Sequence, residues 1–275
     1  MDPTDLPAPF LANETARRLV EARRGAIALP EYPGTRPRTL EEGYACQDAA
    51  IRLWGAPIVG WKVGKIPDSW SGRLGEERLV GPIFNATDAD ATGRHPGRFE
   101  VITGGFAAVE AEFVFRLAAD APVGKVEYDH DEAASLVDAL FVGVEFAGSP
   151  LPLINAYGPA VVVSDFGNNA GLLVGPGIPD WRAQDESMLH CETWIDGERV
   201  GTGAAASIAG GLLAALAFAL ARCARRGLPL KGGMYVTTGA ATGIHDIAAG
   251  QDARVAFGRF GDVRVRAVRA GDGAA

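Results

Sequence analysis

Two glutamates spaced two apart in an apolar stretch suggest chemistry rather than packing. The stretch reads Ala108-Val109-Glu110-Ala111-Glu112-Phe113-Val114-Phe115. On a strand, side chains alternate between faces, so Glu110 and Glu112 point one way and Val109, Ala111, Phe113 and Phe115 the other. Side by side, two carboxylates repel, and burial disfavours their charge unless a cation is present. A hard divalent cation such as Mg2+ or Mn2+ prefers oxygen ligands and resolves the conflict. Glu145 has the same setting, in Phe141-Val142-Gly143-Val144-Glu145-Phe146, far enough along the chain for a crossover and a return strand. Three carboxylates leave coordination positions open for water and substrate. The competing reading puts Glu110 and Glu112 on the solvated face of an edge strand. The matching context of Glu145 favours the metal.

Lys62 is a charge within Val59-Gly60-Trp61-Lys62-Val63-Gly64. A buried lysine usually has an anionic partner or a proton-transfer task. Lys62 is therefore a candidate to bind a substrate carboxylate or relay a proton. The alternative is a surface lysine with its stem on apolar neighbours.

These residues must be positioned by regular elements. Asn13 or Thr15 caps a first helix through Ala16, Leu19, Val20 and Ala22. Residues 30–37, bounded by prolines, break it. A second helix starts near Thr39, has Glu41 and Glu42 in its first turn, and runs to Trp54. The pattern then becomes mainly β. Strands are predicted at 57–63, 105–117, 139–146, 157–163, 170–174, 189–195, 198–201, 234–237, 254–257 and 263–268. Asp196-Gly197 makes a two-residue hairpin turn. Residues 67–78 read as a polar loop, and 207–224 as one long apolar helix. That run carries Gly210, Gly211 and Arg222, so a buried core helix fits better than a membrane span. Together these predict an α+β protein: residues 1–90 form a helical N-terminal region with the lysine strand, and 91–275 a β-rich, barrel-like catalytic domain.

Composition narrows the function classes. The 275 residues are 48% hydrophobic and 22% charged, which fits a globular chain with a sizeable core. The net charge of −8 argues against a nucleic-acid partner, because a phosphate backbone requires a basic face. Cys46, Cys191 and Cys223 are widely spaced and odd in number, so no disulfide framework is expected and a cytoplasmic setting fits. The N-terminus has neither the basic start nor the apolar run of a secretory signal.

Several segments occur together in a telling order: Gly60-Trp61-Lys62-Val63-Gly64, Val109-Glu110-Ala111-Glu112, Val144-Glu145-Phe146, and Val163-Ser164-Asp165-Phe166-Gly167-Asn168-Asn169-Ala170. Gly201-Thr202-Gly203-Ala204-Ala205 and Thr237-Thr238-Gly239-Ala240 follow. In this order and spacing the chain resembles the 2-oxopent-4-enoate hydratase and 4-oxalocrotonate decarboxylase branch of the fumarylacetoacetate hydrolase superfamily. The resemblance implies a mixed β-roll catalytic domain behind a small helical region, and a homo-oligomer. It implies Mg2+ or Mn2+ held by Glu110, Glu112 and Glu145, and a 2-oxo acid chelating that ion with Lys62 beside it. Asp165, Asn168 and Asn169 would line the same pocket, and Gly203, Thr238 and Gly239 would let backbone approach the substrate. The expected activity is hydration of an unsaturated 2-oxo acid through a metal-stabilised enolate. Decarboxylation or C–C bond hydrolysis is the alternative, and a noncatalytic binding protein of this fold the third reading.

One departure stands out. Hydratases of this kind carry an acidic pair after the lysine strand, where this chain reads Leu79-Val80-Gly81-Pro82-Ile83-Phe84-Asn85. Asp88 and Asp90 come later. His245 and His95 are the candidate replacements in acid–base roles. Gly201-Thr202-Gly203 resembles a dinucleotide turn but follows a hairpin strand rather than opening a βαβ unit. Asp165-Phe166-Gly167 lacks the companion loops of a kinase.

Overall fold

The computed structural model describes residues 10–90 and 92–272. Helix α1 (Ala12–Arg24) packs on α2 (Leu40–Trp54). The Thr39 side chain accepts from the Glu42 amide and caps α2, which starts where expected. Helix α1 starts earlier than predicted, with Leu11 at its cap, so Asn13 and Thr15 lie inside it. Next come β1 (Gly60–Lys65), α3 (Asp68–Leu74), β2 (Arg78–Ile83), β3 (Ala86–Asp88) and β4 (Gly97–Val101). The stretch read as a polar loop thus contains about two helical turns, with no residue buried.

Strand β5 (Phe106–Leu117), helix α4 (His130–Ser135) and strand β6 (Val137–Ser149) form the centre of the chain. Residues 157–163, predicted as a strand, are instead helix α5 (Pro159–Ser164). Pro159 sits in its first turn, where a fixed φ favours helix, and the apolar run is buried on all sides rather than alternating. Then follow β7 (Asn169–Gly177), β8 (His190–Ile195), β9 (Glu198–Ala204) and α6 (Leu212–Arg225). Helix α6 starts later than predicted because Gly210 and Gly211 have φ of 71° and 88°, outside the helical range. Among the described residues no helix is long and apolar enough to cross a membrane. Strands β10 (Tyr235–Thr237), β11 (Ile244–Asp246), β12 (Asp252–Ala256) and β13 (Asp262–Arg269) complete the chain.

The strands form two sheets. One has the order β2-β1-β10-β5-β6-β7-β3, with β11 also on β5; the other is β4-β13-β12-β8-β9. Strands β1 to β3 hydrogen-bond into the sheet built by the rest of the chain, β1 to β10 and β3 to β7. The core lies between the sheets: Phe113 of β5 meets Phe257 edge-on at 5.8 Å, beside buried Val255, Val263 and Val265. Val109, Ala111, Phe113 and Phe115 all point into this core, which turns the glutamates between them to the other face.

Candidate metal centre and active site

The register of β5 against β6 sets Glu110 directly opposite Glu145, and Glu112 opposite Gly143. The three carboxylates therefore share a face. They are 3%, 0% and 0% exposed for Glu110, Glu112 and Glu145, and one oxygen from each lies within 4.8 Å of the others.

The hydrogen bonds are unevenly shared. Glu145 accepts from Lys62 Nζ at 3.1 Å and Asn169 Nδ2 at 3.2 Å through Oε1, and from Thr237 Oγ1 at 3.0 Å through Oε2. Glu112 Oε2 accepts from the backbone amides of Thr238 at 3.0 Å and Gly239 at 2.8 Å. Those amides are free because the sheet edge is broken. Strand β10 pairs with β5 as far as Val114, and β11 resumes at Glu110. The chain bows away between them and turns its donors to the carboxylate. Glu110 Oε1 and Glu112 Oε1, by contrast, are buried with no hydrogen-bond partner among the described residues. An orphaned buried carboxylate oxygen is costly, and a set of three hard oxygen donors fits a divalent cation of the Mg2+ or Mn2+ type.

Electrostatics agree with the geometry. Burial pushes the Glu110 carboxyl up to about 7, opposed by Lys62 and reinforced by Glu145. Burial also pushes Glu112 well above the usual carboxylate range, with the charges of Glu145 and Glu110 adding to it. For Lys62, burial works against the charge, but Glu145, Glu110 and Glu112 together hold it protonated above the ordinary lysine value.

A tight turn brings in the asparagines. Phe166, Gly167 and Asn168 have φ of 56°, 63° and 58°, three left-handed residues in succession. Asn168 Oδ1 accepts from Lys62 Nζ at 3.2 Å, and its Nδ2 donates to Asn155 Oδ1 at 3.3 Å. Gly81, opposite Lys62 on β2, makes room for this turn: a Cβ there would stand 2.1 Å from the Phe166 carbonyl oxygen.

Three expected site residues stand elsewhere. Asp165 does not face the carboxylates. Its Oδ1 accepts from Arg23 Nε at 2.5 Å, and its Oδ2 from Ser149 Oγ at 2.5 Å and Arg23 Nη2 at 3.0 Å. His245 pairs with Val109, so it projects from the face opposite Glu110, its Nε2 3.0 Å from the Thr242 carbonyl and against Gly201. Gly203 does not line the cavity; a Cβ there would lie 1.9 Å from the Ala241 carbonyl oxygen, so its smallness lets β9 pack on the bowed segment. Nor do His95, Asp88 or Asp90 reach the cavity: Asp90 Oδ2 accepts from the His95 amide at 2.8 Å in an exposed turn, and Asp88 is exposed on β3.

Arg23 is the residue that sequence reasoning missed. It donates to the carbonyls of Gly148, Asn169 and Asp165 at 2.8, 3.1 and 3.1 Å, as well as to the Asp165 carboxylate. In sequence it reads only as a basic residue in the last turn of a helix. Asn155 was missed too, since nothing local marks it.

Glu110, Lys62, Asn155 and Asn168 open onto a cavity of about 310 Å³. Thr238 and Gly239 line a neighbouring cavity of about 250 Å³. A larger groove of about 450 Å³, around Trp194 and Arg254 on the second sheet, contains none of these residues.

Fold and site together define a class: mixed α+β proteins of the fumarylacetoacetate hydrolase fold with buried carboxylates on the central strands. No family model and no characterised protein sequence matches the chain. In structure it is similar to 4-oxalocrotonate decarboxylase from Pseudomonas putida G7, solved with calcium and acetate and with magnesium and adipate. In each case the TM-score is 0.75 at 20% identity, over 94% of this chain and 97% of that one. Fumarylpyruvate hydrolase from Pseudomonas aeruginosa, in complex with Mn2+ and pyruvate, is similar at TM-score 0.54 and 16% identity, over 78% of this chain and 90% of that one. A 5-carboxymethyl-2-hydroxymuconate delta-isomerase from Mycobacterium smegmatis follows at TM-score 0.52 and 16% identity, over 78% and 82%. At such identities the likeness establishes the fold, and this one fold carries three different reactions.

Proposed function

We propose that this chain is a divalent-metal-dependent lyase acting on an unsaturated 2-oxo acid, with water addition as its reaction. The observation that carries the reading is the trio Glu110, Glu112 and Glu145, buried on one face with two orphaned oxygens beside a cavity. The fold neighbours support its metal-dependent part, since they are described in complex with magnesium and adipate or with Mn2+ and pyruvate.

Held by these three carboxylates, Mg2+ or Mn2+ would supply Lewis-acid stabilisation for the charge that develops when a 2-oxo acid becomes its enolate. The residues of the chain do the rest. Three donors fix Glu145 in one orientation, and two amides fix Glu112. Lys62, held protonated, stands at the cavity wall to pair with substrate charge or deliver a proton to carbon. Asn168 aims the ammonium.

Decarboxylation or carbon–carbon bond hydrolysis is the second reading, and one observation favours decarboxylation, which needs no activated water. Asp165 is tied to Arg23 and His245 faces the other way, so neither is placed to activate water. Incubation with Mg2+ and a 2-hydroxydienoic acid, followed by mass spectrometry, tests the choice. Gain of water supports hydration. Loss of CO2 or chain cleavage, in this or a related 2-oxo acid, supports the second reading, and no metal-dependent turnover of any such acid sinks both.

A further inference from the structure

Strand β9 carries two glycines on one face, Gly201 and Gly203, and both are fitted to the bowed segment 238–243. A Cβ on Gly203 would overlap the Ala241 carbonyl oxygen. One on Gly201 would overlap His245 Nε2 and crowd the Thr242 carbonyl oxygen at 2.9 Å. The second sheet therefore sits against one side of the bow, while the amides of Thr238 and Gly239 hold Glu112 from the other. Thr238 Oγ1 and the Ala241 amide tie the bow to the Phe113 and Ala111 carbonyls of β5 at 2.9 and 2.8 Å. It also contains Gly239 and Gly243, with φ of 123° and 95°. Glycine leaves the backbone free to take other conformations, and side-chain bonds narrow the choice.

Three side chains make such bonds. His245 Nε2 lies 3.0 Å from the Thr242 carbonyl, which can only accept, so Nε2 carries the hydrogen and donates to it. The Thr242 hydroxyl oxygen is 3.2 Å from the same nitrogen and 2.8 Å from the hydroxyl of Thr193, a fully buried residue of β8. Since Nε2 already supplies a hydrogen, the Thr242 oxygen accepts there and its own hydrogen is free for Thr193. Thr242 is thus joined on one side to β11 and on the other to the second sheet.

From this we infer that Thr242 is a positioning residue of the metal centre, with His245 and Thr193 as its holders. This latch sets the bow where its two amides grip Glu112 Oε2 and leave Oε1 without a partner. The inference rests on the reading of the three carboxylates as a metal centre. Released from the second sheet, the bow can draw back from β5, and the carboxylate loses the donors that orient it toward an ion. His245 then acts through Thr242 and not at the substrate.

Two measurements on the full chain test it: calorimetric titration with Mn2+, and amide hydrogen exchange without metal. Thr242→Val keeps the branched shape and removes the hydroxyl, whereas Thr242→Ser keeps the hydroxyl. We expect Thr242→Val to bind Mn2+ roughly fivefold more weakly, about what one hydrogen bond contributes, and to exchange faster at Thr238 and Gly239. Thr242→Ser should behave as wild type in both measurements. His245→Ala should resemble Thr242→Val, and His245→Gln, whose amide nitrogen can reach the same carbonyl, should restore most of the loss. Wild-type Mn2+ affinity in both Thr242→Val and His245→Ala overturns the inference while the metal reading stands, even if their Tm falls, because the contacts would then be merely structural. Equal losses in Thr242→Val and Thr242→Ser overturn it as well, since the hydroxyl would not be the cause. If the wild-type chain binds no Mn2+, the metal reading fails and takes the inference with it.

Discussion

Arg23 and Asp165, 142 residues apart, form a buried pair in which Nε and Nη2 reach the two carboxylate oxygens at 2.5 and 3.0 Å. Asp165 precedes the three left-handed residues 166–168, and Asn168 and Asn169 hold Lys62 and Glu145 directly. Left-handed backbone costs about 1–2 kcal/mol for each non-glycine residue. Arg23 bonds the carboxylate and carbonyl of Asp165 and the carbonyl of Asn169, on either side of that turn, so a helix outside the two sheets braces the segment that carries two groups of the site.

Arg23→Lys should therefore fold but lose at least about tenfold in kcat/KM, because an ammonium cannot reproduce the two-pronged contact. Arg23→Ala should cost about 3–5 kcal/mol, since it leaves the Asp165 carboxylate buried and unpaired. Urea denaturation and steady-state kinetics on the two variants measure these effects. Equal kcat/KM in wild type and Arg23→Lys would show the pair to be purely structural.

Glu110→Ala and Glu112→Ala should each abolish metal-dependent activity and weaken Mn2+ binding by roughly a hundredfold, on the order of a 3 kcal/mol loss. The fold should be retained, because the removed carboxylates are themselves costly to bury without an ion. Calorimetry with Mn2+ and circular dichroism check both statements. Full metal affinity in both variants would contradict the assignment.

Lys62→Met keeps the volume of the stem and removes the charge. It should weaken 2-oxo acid binding more than metal binding. Titration of Mn2+ alone, then of pyruvate onto the loaded protein, separates the two. Equal losses would argue that Lys62 serves only to hold Glu145.

Stability without metal should depend on pH in a defined direction. Burial raises the Glu110 carboxyl from 4.5 to about 7 in the folded protein, and burial also raises Glu112 well above the usual carboxylate range. Folding therefore favours their protonated forms. This contribution is fully present below about pH 4.5 and is lost as pH rises through about 7. Lys62, raised above its ordinary value, adds no dependence in this window. With EDTA present, the Tm should fall by several degrees between pH 5 and pH 8, roughly what a change of a few kcal/mol does in a chain of this size. Saturating Mg2+ should flatten the profile. A chelated protein whose Tm rises over that range would refute this account.

The local pattern was enough for some of this. Alternation along β5 and β6 put each glutamate on the face away from its phenylalanine and valine neighbours, because strand periodicity depends only on residues next to one another. Thr39 and the Asp196-Gly197 turn were legible for the same reason. What sequence could not settle was register and orientation. The pairing that sets Glu110 across from Glu145, the face to which β11 turns His245, and the reach of Arg23 to Asp165 all join distant segments. Residues 157–163 show the limit most clearly: an apolar, β-branched run suits either strand or buried helix, and only its packing against α2 and β2 decided for helix. Chain order determined which side chains could do chemistry; long-range pairing decided which of them meet, since no short stretch contains the information that brings two remote strands into one register.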